Sequence, residues 1–242
     1  MSVCIVISQS MYFPWIGLLE QIQLADVFVH YDDVQFSKGS FVNRVQIKTP
    51  RGVSWLTIPL HGFKFGQSIS EVMVNHLTDW RGQHQDILFK SYFDAPFRDE
   101  MIDLVKRVHD QPAETLADVA RASMIELAKY YGLDRLTRFV DIEILGVLGK
   151  GSQRVHDIVV SLSGDCYLTG HGAKNYLDHL LFENSLIAVN YMDYRYLPYA
   201  QLHGKFTPFV SALDLVANCG QAGRGVICSK GIYWKEFMKR EM

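Results

Sequence analysis

Acidic residues are missing from one long stretch of this chain. No aspartate or glutamate occurs from Val34 to Ser70, whereas the same stretch contains the basic residues Lys38, Arg44, Lys48, Arg51 and Lys64. A second basic stretch, from Arg195 to Lys235, has Asp214 as its one acid. A patch of one charge attracts ligands of the opposite charge, so these stretches predict an anion site if they meet in space.

Cysteine is scarce, and its spacing excludes a Cys-x-x-Cys redox or zinc motif. The four cysteines are Cys4, Cys166, Cys219 and Cys228. Two of them, Cys4 and Cys166, fall in apolar, strand-like runs, where cysteine behaves as a small buried hydrophobic residue. We therefore expect a reducing compartment and a cytoplasmic location. The nine histidines also lack the H-x-x-x-H spacing of a helical zinc site, so no metal is expected.

Long apolar runs and a strong net charge are lacking as well. The formal net charge is -2 and the hydrophobic share is 48%, which is typical of soluble globular proteins and predicts no nucleic-acid partner. A membrane helix needs about 18 or more consecutive apolar residues, and the first residues do not follow the pattern of a signal peptide. We expect no membrane partner, and the composition names neither a cofactor nor an oligomeric state.

Alternating strand and helix patterns are present at both ends of the chain. The first apolar run is Val3–Ser8, and a segment with helical periodicity follows at Ile16–Ala25. A second apolar run comes next, at Val27–Tyr31. This order predicts a βαβ unit with two neighbouring parallel strands. The alternation resumes with strands predicted at Phe139–Leu145, Cys166–Leu168 and Ile187–Tyr191 and helices at Ser152–Leu162 and Lys174–Phe182. The fold class is therefore α/β, with a mostly parallel Rossmann-like sheet.

A hairpin and a helical segment interrupt this alternation. An antiparallel hairpin is predicted for Val45–Lys48 and Val53–Pro59, which are joined by a Pro-Arg-Gly turn. Ile69–Val74 is a further candidate strand. Residues 78–132 predict three helices, with breaks at 94–96 and 110–112. We divide the chain into an N-terminal α/β part (1–77), a helical insertion (78–135) and a C-terminal α/β part (136–242).

Polar residues follow the first two predicted strands, at the sheet edge where open α/β sheets bind ligands. Asp32 and Asp33 end the second strand and are candidate catalytic bases, metal ligands or simple turn formers. Neighbouring strand residues point to opposite faces, so at most one of the two enters the crevice. Arg44 could fork onto a phosphate or carboxylate. The candidate substrate-binding residues of this region are Tyr12, Gln35, Lys38, Asn43 and Arg44.

A glycine-containing junction follows the later strand at Cys166–Leu168. Gly170 and Gly172 would let backbone N–H groups approach a ligand closely, and a helix beginning near Ala173 would favour an anion. Lys174 would strengthen that preference, and Tyr176 is a further candidate contact. His171 could be a general base, an anion donor or a turn residue. The site hypothesis requires this junction and the first two strand ends to share one cavity.

Five segments of the chain resemble the WbqC family in sequence and in order. They are Gln9–Gly17, Ala25–Phe36, Asn43–Arg44, Tyr167–Leu177 and Lys205–Leu215. The resemblance implies a bacterial protein encoded among surface-polysaccharide and O-antigen genes, with a role in transferring glycine or another acyl group to a sugar. The chain departs from the family pattern at Ser10, Phe41 and His171.

The leading hypothesis is a transferase of O-antigen biosynthesis that joins a glycyl or other acyl group to an amino sugar, presented as a nucleotide sugar. One alternative is a nucleotide or nucleotide-sugar binding protein without chemistry of its own. Another is a divergent nucleotidylyltransferase, because Tyr12–Gly17 occupies the position of the H-x-G-H signature of those enzymes. Both signature histidines are absent here, and a shared fold does not fix a function.

Overall fold

A computed structural model describes residues 2–240, and this part of the chain contains ten strands and nine helices. The strands are β1 (Cys4–Ser8), β2 (Val27–His30), β3 (Arg44–Thr49), β4 (Gly52–Thr57), β5 (Leu60–His61), β6 (Met73–Val74), β7 (Arg138–Asp141), β8 (Cys166–Thr169), β9 (Ala188–Asp193) and β10 (Lys230–Tyr233). The helices are α1 (Ile16–Leu24), α2 (Trp80–Ser91), α3 (Arg98–His109), α4 (Leu116–Tyr130), α5 (Ile142–Leu145), α6 (Gly151–Ser161), α7 (His179–Asn184), α8 (Ala212–Cys219) and α9 (Trp234–Arg240).

Six strands form one sheet in the order β10-β9-β8-β1-β2-β7. The central strand β1 is parallel to both neighbours, with Ile5 opposite Val27 on β2 and Cys4 opposite Cys166 on β8. Strands β7 and β9 continue the parallel arrangement, and β10 is antiparallel to β9. The prediction of a mostly parallel α/β sheet is confirmed, whereas the antiparallel edge strand β10 was not predicted.

The two faces of the sheet bury two separate hydrophobic clusters. Side chains alternate between the faces of a strand, so Val6 and Phe28 belong to one cluster and Ile5 and Val29 to the other. The first cluster includes apolar side chains of α1, α2, α3, α4 and α8, and the second includes those of α6, α7 and α9. Each strand of the parallel core is therefore covered on both sides, which explains why its sequence is apolar almost without interruption.

The hairpin and the three helices of residues 78–132 form as predicted. Strands β3 and β4 pair antiparallel, with Arg44 opposite Thr57, and α2, α3 and α4 are separated at the two predicted breaks. Helix α4 starts with a capping box formed by Thr115 and Asp118, an arrangement that satisfies backbone N–H groups at a helix start. Buried side chains of α2–α4 pack in the same cluster as those of α1.

Three predicted elements have different bounds in the structure. The strand predicted at Phe139–Leu145 ends at Asp141, and the short helix α5 follows it until Gly146, whose φ of 62° suits a helix end. The helix predicted at Lys174–Phe182 begins at His179, because Asp178 caps the backbone N–H groups there. Residues Ile69–Glu71 form a 3-10 turn before the two-residue strand β6.

No helix within residues 2–240 combines the length and the apolar character needed to cross a membrane.

Candidate functional site

Asp32 lies at the carboxyl end of β2 and is fully buried. Its Oδ1 accepts a hydrogen bond from the Ser10 backbone N–H at 2.8 Å, and its Oδ2 accepts from Ser10 Oγ and from Arg121 Nε, both at 2.7 Å. Arg121, on α4, also contacts Asp141 and Glu143 at 3.0 and 3.2 Å. Asp32 therefore links the ends of β1 and β2 to the helical layer on one face of the sheet.

The network around Arg121 fixes its charge. Burial acts to lower the pKa of Arg121, but the hydrogen bond to Asp32 and the charges of Asp32, Asp141 and Glu143 outweigh burial and raise that pKa above its usual value. A buried arginine that is matched by carboxylates remains a cation. Both oxygens of the candidate base Asp32 therefore accept hydrogen bonds from within the protein.

Asp33 turns to the other face of the sheet and pairs with Arg154 on α6. The pair uses Asp33 Oδ2, while Oδ1 is buried and has no hydrogen-bond partner among residues 2–240. Arg154 also donates from Nε to the Val147 carbonyl at 3.0 Å, and its guanidinium lies 4.9 Å from the centre of the Tyr31 ring. Buried polar atoms without a partner are costly and rare, so Asp33 Oδ1 is an acceptor that the contacts within residues 2–240 leave unsatisfied.

Two residues beside Asp33 have shifted acid–base properties. Burial raises the pKa of the Tyr31 phenol, although Arg154 acts in the opposite direction. Burial would lower the pKa of Arg154, but its hydrogen bond to Asp33 outweighs burial and raises that pKa. At neutral pH Arg154 is therefore a cation, and Tyr31 is a protonated phenol that can donate a hydrogen bond.

An open pocket of about 490 Å³ lies beside this pair. It is lined by Tyr31, Asp33, Val34, Gln35, Gly149, Lys150, Gly151, Arg154, Val155 and Tyr176. The predicted candidates Asp33 and Gln35 thus share a cavity with Tyr176, which belongs to the second predicted segment. We call this cavity the Asp33 pocket.

One wall of the Asp33 pocket is the start of helix α6. The N-cap residue Lys150 makes no side-chain cap, and the first turn contains no acidic residue. The φ angles of Gly149 and Gly151 are 112° and 64°, values that favour glycine. Uncapped N–H groups at a helix start favour an anion, and the exposed Lys150 side chain adds a positive charge.

The glycine junction after β8 has a different conformation from the predicted one. Residues His171–Asn175 form a short 3-10 turn, so no helix dipole begins near Ala173. A Cβ atom on Gly170 would lie 3.5 Å from the Tyr194 hydroxyl, and Gly172 is exposed with open space around it. Lys174 is half-buried. None of these three residues lines the Asp33 pocket.

His171 contacts strand β9 and helix α9 rather than the Asp33 pocket. Its Nε2 lies 2.6 Å from the Met192 carbonyl oxygen, and its ring packs 4.8 Å from Phe237 and 5.2 Å from Tyr194. His171 is not among the residues that line the pocket with Asp33. The structure therefore does not bring these two candidate bases together.

Tyr12 is fully buried between two histidines. Its hydroxyl lies 3.0 Å from His84 Nδ1 and 3.0 Å from His109 Nε2. Gln85 Nε2 lies 3.1 Å from His109 Nδ1. One assignment satisfies all of these contacts: Gln85 donates to His109, His109 to Tyr12, and Tyr12 to His84. Tyr12 therefore holds the helices α2 and α3 together and does not reach the Asp33 pocket.

The remaining candidates of the first segment lie on the hairpin and the loop before it. The Arg44 guanidinium lies 4.1 Å from the centre of the exposed Trp55 ring. Asn43 is 5% exposed and donates to the Ile58 carbonyl at 3.4 Å. Lys38 is exposed. These three residues do not line the Asp33 pocket, so the predicted site residues do not all share one cavity.

The two basic stretches meet at Lys48, but not as an anion site. Lys48 is 3% exposed, and its Nζ donates to the Lys205 carbonyl at 2.8 Å and to Gln201 Oε1 at 3.3 Å. Nearby, Asp214 accepts hydrogen bonds from the hydroxyls of Tyr92 and Tyr199. Burial raises the pKa of Asp214 despite these hydrogen bonds. This cluster satisfies its own polar groups and has a structural role.

Comparisons with known proteins cover most of the chain. The model of the WbqC-like protein family matches residues 9–225. This chain belongs to the WbqC-like family. It is similar to the uncharacterized protein Rv1507c of Mycobacterium tuberculosis, with 33% identity over 220 residues that cover 89% of this chain and 94% of the relative. No solved structure matches the chain significantly.

Sequence reasoning missed the side of the site that this WbqC-like chain builds from Gly149, Lys150, Gly151 and Arg154. The signal was present, because two glycines flank a lysine directly before a predicted helix. Sequence reasoning pointed instead to Gly170–Lys174, a segment that also combines two glycines with a lysine. Within residues 2–240, no group of three or more His, Cys, Asp or Glu side chains is arranged to hold a metal ion.

Proposed function

We propose that this WbqC-like protein is a transferase that forms an amide between a glycyl or other acyl group and the amine of a nucleotide-linked amino sugar in the Asp33 pocket. The observation that carries the proposal is the unpartnered Oδ1 of Asp33 in a pocket with a cationic helix start. Amide formation needs an acceptor for the amine proton, and an anion site suits the diphosphate of the nucleotide-linked amino sugar.

Asp33 is the proton acceptor in this mechanism. Arg154 holds Oδ2, which fixes the carboxylate plane and leaves Oδ1 free to accept a hydrogen bond from an ammonium or amine. The amine nitrogen attacks the acyl carbonyl carbon, the bond to the donor's leaving group breaks, and the amine proton passes to Asp33 Oδ1. The protonated Tyr31 hydroxyl beside Arg154 is available as a hydrogen-bond donor.

The start of α6 is the anion-binding part of the mechanism. The Lys150 side chain and the uncapped N–H groups of the first turn face the same pocket as Asp33. A diphosphate held there would place the attached sugar over Asp33 and Tyr176. Ser152 supports this geometry, because its Oγ donates to the Tyr176 carbonyl at 3.0 Å and accepts from the Asp178 N–H at 2.8 Å.

The test is a thermal-shift and turnover screen with nucleotide sugars that carry or lack a free amine, each with and without activated acyl donors. A ligand at about 100 times its dissociation constant stabilises the native state by roughly 2.7 kcal/mol. We expect Asp33→Asn to bind the nucleotide amino sugar normally and to lose turnover by about 10²-fold or more. Lys150→Met should weaken binding, whereas Lys64→Met, an exposed lysine outside the pocket, should not.

A non-catalytic nucleotide-sugar binding protein is the second candidate, and one contact favours it. Asp33 already pairs with Arg154 through Oδ2, so its carboxylate has a structural partner in the protein whether or not it takes up a proton. Binding that depends on Lys150 but produces no amide with any acyl donor would support this candidate. If Asp33→Asn retained full turnover, the catalytic role of Asp33 would be wrong.

A further inference from the structure

The hydrogen bonds of Ser10 determine the protonation of the buried His30. Ser10 Oγ has one hydrogen, and it donates to Asp32 Oδ2 at 2.7 Å, since this carboxylate is paired with Arg121. Ser10 Oγ also lies 2.8 Å from His30 Nδ1. With its hydrogen already used, the oxygen can only accept from the ring. His30 Nδ1 therefore carries a hydrogen.

A neutral His30 then has a bare lone pair on Nε2. Burial and the charge of Arg121 lower the pKa of His30 to about 4, so the ring is uncharged at neutral pH. The residue is 1% exposed, and Nε2 has no hydrogen-bond partner among residues 2–240. An acceptor that is buried without a donor is destabilising, and a donor from a bound ligand would satisfy Nε2.

The ring of His30 borders an open pocket of about 450 Å³ beside the edge strand β7. Ser10, which follows β1, contacts the ring at Nδ1, and β7 lies on the other side of β2. Phe139, on β7, stacks against the ring with centroids 5.6 Å apart. Ile125 and the exposed Ile144 add apolar walls.

One carboxylate and one guanidinium line this pocket, those of Asp141 and Arg138. The Asp141 side chain is 40% exposed, and both it and the 41% exposed Glu143 contact Arg121. Together with Asp32, three carboxylates surround the one guanidinium of Arg121. Arg138 also borders the pocket, but it precedes Phe139 on β7 and so points to the opposite face of the sheet.

We propose that this pocket binds a small primary amine with an apolar body, whose N–H group donates to His30 Nε2 and whose positive charge faces Asp141. The apolar part lies against Phe139 and Ile144. The site is separate from the Asp33 pocket, because the two pockets share no lining residue. The proposal therefore does not depend on the proposed transfer reaction.

The first test is the tautomer of His30, measured by long-range ¹H–¹⁵N NMR on protein with ¹⁵N-labelled histidine at pH 7. The expected spectrum shows a protonated Nδ1 and a pyridine-type Nε2 for His30. The resonance is assigned by its loss in His30→Gln, or by its shift in Ser10→Ala if the first variant does not fold. A spectrum with the hydrogen on Nε2 would refute the proposal.

The second test follows the His30 Nε2 resonance during titration with benzylamine, benzyl alcohol and benzoate. Benzylamine should move the resonance saturably, benzoate should not move it, and Asp141→Asn should weaken benzylamine about tenfold, equal to about 1.4 kcal/mol. The control Asp86→Asn, an exposed carboxylate on α2, should leave the affinity unchanged. The proposal fails if benzylamine gives no saturable shift, if benzoate matches it, or if Asp141→Asn has no effect.

Discussion

Three buried histidines predict that the protein loses stability as the pH falls from 7 to 5. Burial is the main cause that lowers the pKa of His30 and of His84 to about 4 and that of His109 to about 3. In the unfolded chain a histidine has a pKa of about 6.5. Between these values the unfolded state binds protons that the folded state does not, so acidification favours unfolding.

The magnitude follows from the difference in bound protons. Each histidine that is protonated only in the unfolded state contributes about 1.4 kcal/mol per pH unit below pH 6.5. At pH 5 this amounts to about 2 kcal/mol for each ring and about 5 to 6 kcal/mol for all three. Burial raises the pKa of Asp214, so the folded state can bind one proton there that the unfolded state does not. This single proton opposes the loss of stability at low pH. A domain is typically stable by about 5 to 15 kcal/mol, so the loss is large.

The assay is urea unfolding at pH 7, 6 and 5, with the free energy of unfolding extrapolated to water at each pH. We expect His109→Gln and His84→Gln each to reduce the slope of that free energy against pH by about one third, whatever they do to stability at pH 7. His61→Gln alters an exposed histidine on β5 and should keep the full slope. A free energy of unfolding that stays constant from pH 7 to 5 would show that the buried rings are not held neutral.

Two further predictions concern packing and charge. Arg121→Leu leaves the fully buried Asp32 without its cation and should reduce the free energy of unfolding by about 3 to 5 kcal/mol. Urea unfolding measures this loss, and the added substitution Asp32→Asn should restore part of it. Gly164→Ala would place a Cβ 2.4 Å from Ile5 Cγ1, and we expect a cost of about 1 to 3 kcal/mol, visible as a lower midpoint of thermal unfolding.

The parts of the fold that depend on local sequence could be predicted. The unit β1-α1-β2 lies within 30 residues, and its apolar periodicities of strand and helix are uninterrupted. The hairpin β3–β4 follows from its Pro-Arg-Gly turn. The helix predicted at Lys174–Phe182 was wrong in its start, because the capping carboxylate Asp178 competes with helix formation before it.

The partners of the two aspartates could not be predicted from the sequence. Arg121 lies 89 residues from Asp32, and Arg154 lies 121 residues from Asp33. No local pattern indicates which basic residue on which helix reaches a given strand end. The sequence nevertheless places both carboxylates at the ligand-binding edge, and the alternation of strand side chains predicts that they separate.

That separation restricts how the segment after β2 can change. Asp32 anchors α4 on one side of the sheet and Asp33 anchors α6 on the other, so their order in the chain decides which helix each one serves. Inserting one residue between His30 and Asp32 would shift both carboxylates by one position and present each one to the wrong layer. Point substitutions can tune the pocket, but the length of this short connection is fixed by the helices on both sides.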